Sequence, residues 1–158
     1  MIIEVHLGLS LHRLGAIELG YEDQGFRVFH IRAQYCETYA ELHREMSAAL
    51  QFPWYYGNNS SALEECLSEV AKFDPQVRGV VLSVWNCSAL LRKESDRDAK
   101  LERFQELLVH VGSEMAEPRG VVVGDAAASR SLVVLLHDER EPIDVADGSL
   151  RDIVISVR

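Results

Sequence analysis

Positive charge is what this chain has least of. It carries 16 basic against 25 acidic side chains, a formal net charge of -9. A direct nucleic-acid partner is disfavoured, because phosphate contacts need lysine and arginine. An acidic chain suits a basic partner, or none. Cysteine is short as well: Cys36, Cys66 and Cys87 are odd in number, far apart and without a C-x-x-C pair. That pattern is neither a disulfide framework nor a zinc signature. Cys66, at an apolar helical position, reads as a buried reduced thiol. Long apolar runs are missing, so no segment approaches a membrane span. "MIIEVHLGLSLHR" has no basic leader and no long apolar stretch of the kind a secretion signal carries, and a cytoplasmic protein is expected. "GVVVGDAAASR" has glycines but no lysine and no G-x-x-x-x-G-K-[ST] pattern, which argues against phosphate cradling. Internal repeats and low-complexity segments are absent too. No cofactor and no metal are expected.

What is present is apolar mass. Hydrophobic residues make up 47% of 158 residues, enough for a single domain over 1–158 with its own core. The first thirty residues read as β structure: "MIIEVHLGL" and "AIELGYE" alternate, and "DQG" turns into "FRVFHIRA". An N-terminal β meander is the expectation. From Thr38 the period changes. Leu42, Met46 and Leu50 make one helical stripe, Thr38 and Glu41 have capping-box spacing, and Pro53 closes the helix. A second helix starts at Ser60 or Ser61, with Leu63, Cys66, Leu67 and Val70 inward and a second capping box from Ser61 and Glu64. "RGVVLSVWN" reads as a buried strand. "LLRKESDRDAK" crosses the surface, a third helix carries Leu101, Phe104, Leu108 and Val111, and "GSEMAEPRG" is a connector. "GVVVG", "SLVVLLH" and "DIVISV" are late β segments. Strands alternating with helices give an α/β fold with parallel pairing, since parallel neighbours need helical crossovers.

The stretch "FPWYYGNNSSALEECL", residues 52–67, sets three aromatics and two asparagines before a helix that meets water with acid. At roughly 100° per residue, Ser61, Glu64, Glu65 and Ser68 fall opposite the apolar stripe, and Glu69 lies at the edge of that arc. Gly57 and the asparagines suit a tight loop. Aromatics beside carboxylates and amides offer stiff contact area with polar handles. First-turn carboxylates also suit the helix dipole without any partner.

Catalytic readings find little support. His43, within a helix beside acids, is expected at the surface. Cys66 points inward and makes no nucleophile pair with His43. Ser60 and Ser61 lack a base. Glu64 and Glu65 are adjacent, so they diverge on a helix and make a poor acid–base pair.

Residues 31–67, "IRAQYCETYAELHREMSAALQFPWYYGNNSSALEECL", resemble the barstar family, inhibitors of a secreted bacterial ribonuclease. The likeness lies in "T-x-x-E-L-H", the amphipathic helix, the aromatic–proline corner, "YYGNN", and the following "AL" and "CL". Looser likeness follows in "VVLSVW" and "LERFQELLVHVG". The resemblance implies a two- or three-layer α/β fold around a small parallel sheet. The family-like core would span about 26–137, with an N-terminal β extension at 1–25 and a C-terminal extension at 138–158. It also implies a bacterial immunity protein or antitoxin, not an enzyme, whose helix and loop plug the active site of a basic nuclease toxin. The carboxylates would stand where substrate phosphates sit.

Carried over position by position, the partner-binding surface would be Tyr55, Asn59, Ser60, Ser61, Glu64, Glu65 and Ser68, with Glu106 adding a carboxylate from the third helix. Tyr56 and Gly57 would shape the loop. Two family aspartates are Ser61 and Glu65 here, and the large aromatic between them is Glu64, so acidic charge has moved by one residue. Two alternatives stand beside the inhibitor. One is a barstar-like module with a non-nuclease partner, bound through the extra β segments. The other is a small enzyme with a cryptic site at Glu64 or His110.

Overall fold

The structure, a computed structural model, describes residues 1–70, 76–117 and 129–140. The elements run β1 (Ile2–Leu7), α1 (Leu11–Asp23), β2 (Phe26–Arg32), α2 (Tyr39–Leu50), α3 (Ser60–Val70), β3 (Gly79–Trp85), α4 (Arg97–Ala116) and β4 (Ser131–Asp138). Short 3-10 turns follow β2 and β3. The strands form one sheet in the order β1-β4-β3-β2, every neighbouring pair parallel. This is the α/β class expected.

β3 and β4 are buried almost end to end, which explains their near-continuous apolar runs. Their side chains alternate between faces. Val80, Leu82 and Val84 of β3 and Leu132, Val134 and Leu136 of β4 enter the main core, beneath α2, α3 and α4. Val81, Val133 and Leu135 point to the other face and meet Leu14 of α1. The layers are therefore three, with α1 alone on its side of the sheet among the described residues. Each fully buried leucine or valine contributes on the order of 1.5–3 kcal/mol.

The expected N-terminal β meander is not formed. β1 pairs with β4 rather than with β2, and residues 11–23 are helix. Leu14, Ile17, Glu18 and Tyr21 recur at i, i+3, i+4 and i+7 and turn toward the sheet. An acid at a core position disguises that stripe, and "AIELGYE" then reads as alternation. "DQG" is the exit from the helix, not a hairpin turn. Glu18 is only 8% exposed. Its carboxylate accepts hydrogen bonds from Ser83 Oγ at 2.5 Å and Trp85 Nε1 at 3.2 Å, and lies 3.2 Å from His30 Nε2. Farther along α1, Tyr21 donates its hydroxyl to Glu4 of β1 at 2.6 Å.

Of the three late β segments, "SLVVLLH" is β4, the strand between β1 and β3. "GVVVG" and "DIVISV" lie outside the described residues. α4 also runs on through "GSEMA", read above as connector. Gly112 there is no terminator: a Cβ on it would stand 2.7 Å from Met1 Cβ, so the missing side chain lets β1's end lie against the helix.

Candidate protein-binding site

The site begins at the start of α2. Thr38 Oγ1 accepts from Glu41 N at 3.3 Å while Thr38 N donates to Glu41 Oε2 at 2.9 Å, the capping box expected from the sequence. Glu94 Oε1 accepts from Tyr39 N at 2.6 Å and ties this corner to the segment before α4. Leu42, Met46 and Leu50 enter the core. α2 ends at Leu50, with Gln51 in the left-handed region at φ 54°, ahead of Pro53.

His43, expected at the surface, is 1% exposed. It stands one residue past Leu42 on α2 and reaches the loop that follows the helix. Its Nδ1 is hydrogen-bonded to the hydroxyl of Tyr56. Burial pushes the Tyr56 phenol up and the His43 imidazole down, so both groups are neutral at pH 7, and the imidazole tautomer sets which of them donates. His43 Nε2 is buried without a hydrogen-bond partner among the described residues. Phe52 packs on Tyr56 with ring centroids 5.0 Å apart. These contacts anchor the aromatic corner and leave its neighbours outside: Trp54 is 94% exposed and Tyr55 68%.

Asn59 sets where α3 starts. Its Oδ1 accepts from Ala62 N at 3.0 Å, and its Nδ2 donates to Gly57 O at 3.2 Å. A Cβ at Gly57 would meet that Nδ2 at 2.8 Å, so the glycine makes room for the cap. The helix cap is therefore Asn59 and not the predicted Ser61–Glu64 box. Ser60 Oγ lies 3.0 Å from the Tyr39 hydroxyl, which pins the first turn of α3 to α2.

From this start Ser60, Ser61 and Glu65 are exposed and Glu64 is half-buried. Tyr55, Asn59, Ser60, Ser61, Glu64 and Glu65 thus share one loop and one helix end. Ser68 does not join them. It is 4% exposed and donates to Glu114 Oε2 of α4 at 2.8 Å, because the next turn of α3 packs against α4. Cys66, expected inside, is half-buried at the core's edge.

Glu106 is exposed on α4. One turn later on the same helix, His110 Nε2 lies 3.2 Å from Glu64 Oε1. His110 was not among the expected contact residues. Its i+4 spacing from Glu106 was visible in the sequence, but its partner across 46 positions of chain was not. Trp54 was also left out, although it stood in the quoted loop.

Other polar groups are occupied elsewhere. Glu37 is held below the usual carboxylate range by hydrogen bonding from Lys93 and by Arg92. Burial raises the Cys36 and Cys87 thiols to about 12, which keeps them protonated at pH 7. Among the described residues no group of three or more His, Cys, Asp and Glu side chains is placed to hold a metal ion, and no helix is long and apolar enough to cross a membrane.

A family model described as Barstar (barnase inhibitor) matches residues 26–124. The chain belongs to the barstar family. The match takes in β2, α2, α3, β3 and α4 and every expected contact position; β1, α1 and β4 lie outside it. Barstar family members are inhibitors that bind a ribonuclease, not enzymes. No curated protein matches the sequence. Two similar solved structures are from Drosophila. One, of ORC bound to AT-rich DNA and Cdc6, is 14% identical with a TM-score of 0.46, over 96% of this chain and 45% of that one. The other, of ORC bound to DNA, is 13% identical with a TM-score of 0.44, over 96% of this chain and 75% of that one. The barstar-family chain thus spans less than half the length of the first. Likeness at this level says nothing of what the chain binds.

Proposed function

We propose that this barstar-family chain is an inhibitor that blocks the active site of a basic nuclease, acting as a cytoplasmic antitoxin or immunity protein. The observation that carries it is the end of α3. Glu64 and Glu65 project from a helix whose first turn is fixed by the Asn59 cap and by the Ser60–Tyr39 contact. Glu106 stands on the neighbouring α4 beside the partner of Glu64. A cleft built to attract phosphates accepts carboxylates held in this way, and the fixed backbone reduces the ordering cost of binding. Tyr55, Ser60 and Ser61 supply the neutral contacts around them.

The test is inhibition of barnase-catalysed RNA cleavage by the purified chain, with Glu65→Lys and Glu106→Lys beside it. Each reversal should weaken inhibition by about 2 kcal/mol or more, over tenfold. Unchanged inhibition by both variants would sink the acidic-plug mechanism.

One observation favours a second reading, the same face with a non-nuclease partner. Ser61 is neutral where the family carries an aspartate, and Glu64 already meets His110. Basic proteins captured by this face but lacking nuclease activity would support that version. The variant in which residues 138–158 make the contact falls almost wholly outside the described residues.

A further inference from the structure

We propose that the Trp54–Tyr55 corner is a platform for an arginine side chain of the protein that docks on the α3 face. This deepens the reading just given and rests on its basic partner. Three observations carry it.

The first is exposure. Trp54, at 94%, is the most exposed of the large apolar side chains among the described residues. It is not a stray side chain on a floppy tip. Its neighbour Tyr55 meets it edge-on, with centroids 5.8 Å apart and ring planes at 83°. The next residue, Tyr56, is buried and hydrogen-bonded to His43. A ring held away from the core by a fixed corner offers its face to something outside.

The second is how this chain treats its other rings. Tyr35 is 59% exposed, and the Arg32 guanidinium lies 5.0 Å from its centroid. The Arg27 guanidinium lies 5.0 Å from the centroid of Phe29. No cation stands over Trp54 among the described residues, although indole is the ring that attracts cations best.

The third is charge. From Gln51 to Leu63 the sequence has no charged residue, and the first two that follow are Glu64 and Glu65. A cation approaching α3 meets no repulsion along the loop and finds carboxylates at its end. Arginine fits better than lysine, because its planar, weakly hydrated guanidinium stacks on a ring while offering its edge to a carboxylate.

The test needs no nuclease. The chain has two tryptophans, so a 15N-labelled sample gives two indole N–H signals, and Trp54→Phe assigns them. The probe is a short peptide with two arginines, beside one of equal charge with two lysines. The arginine peptide should shift the Trp54 signal saturably, at least threefold more tightly than the lysine peptide. The Trp85 signal, whose N–H is bonded to Glu18 and Ser83, should stay in place. Glu64→Gln with Glu65→Gln should weaken the response. Equal affinity for the two peptides, equal movement of both indoles, or no shift at all would overturn the platform. Barnase inhibition is scored apart: its absence with the arginine response intact defeats the nuclease reading alone, and inhibition without that response defeats the platform alone.

Discussion

Glu64 of α3 and His110 of α4 face one another at 3.2 Å, joining the two helices that carry the acidic face. Both side chains are about half exposed, so water screens the pair and its contribution to stability is small. Its larger effect is on availability, because a carboxylate shared with an internal histidine is less free for a partner. His110→Ala should change unfolding stability by less than about 0.5 kcal/mol while tightening binding to barnase in calorimetric titration. Weaker binding by the variant would show that His110 is itself a contact and not a competitor.

Acid should loosen the loop through His43. Burial holds this imidazole below its ordinary 6.5. The unfolded chain therefore takes up the proton first, and stability falls as the pH drops from about 6.5 through the folded value. A second loss follows at lower pH. Burial alone would raise Glu45 and Asp138, but hydrogen bonds from Arg32 and from Ser88 and Arg140 outweigh it and hold both below the carboxylate range. His43→Gln should flatten the first slope and spare the second in urea titrations over pH. Tyr56→Phe, which leaves the buried His43 Nδ1 unpaired, should cost about 1–3 kcal/mol. Identical slopes in His43→Gln and the parent would remove His43 from the account.

Glu18 is expected to be a structural residue. Glu18→Ala would leave the hydroxyl of buried Ser83 without its acceptor and remove the charge beside His30. A loss of about 2–3 kcal/mol follows, together with a shift of the Trp85 indole signal. Barnase inhibition should persist wherever the variant is folded, since Glu18 lies across the sheet from α3. Full stability in Glu18→Ala would mean that the network is incidental to the docking of α1.

The elements that could be read from sequence are those whose signal is local. Thr38 and Glu41 sit within one helical turn, and Leu42, Met46 and Leu50 need only a 3.6-residue period. β3 was legible because both of its faces are covered, leaving a β-branched run. α1 was not, because Glu18 fills a core position and is acceptable there through Ser83, Trp85 and His30, groups outside its own helix. His43 was misplaced for the same reason, its partner Tyr56 lying beyond the end of its helix. At the candidate site, helical spacing put Glu64 and Glu65 on the side away from Leu63 and Leu67. The same spacing put Ser68 outside, where a single isolated helix would have it. α4 covers that turn, and no pattern within α3 announces a neighbour.

The parallel pairing of Ile2 with Val133 has a consequence for how the chain is made. On the ribosome β1 emerges ahead of the other described strands, yet the strand it binds among the described residues, β4, is the last of them to appear. Until then its backbone donors and acceptors must be satisfied by water, and closing so long a loop is slow. β1 is thus synthesised early and installed late, and its pairing with β4 can form only after α4 has been translated.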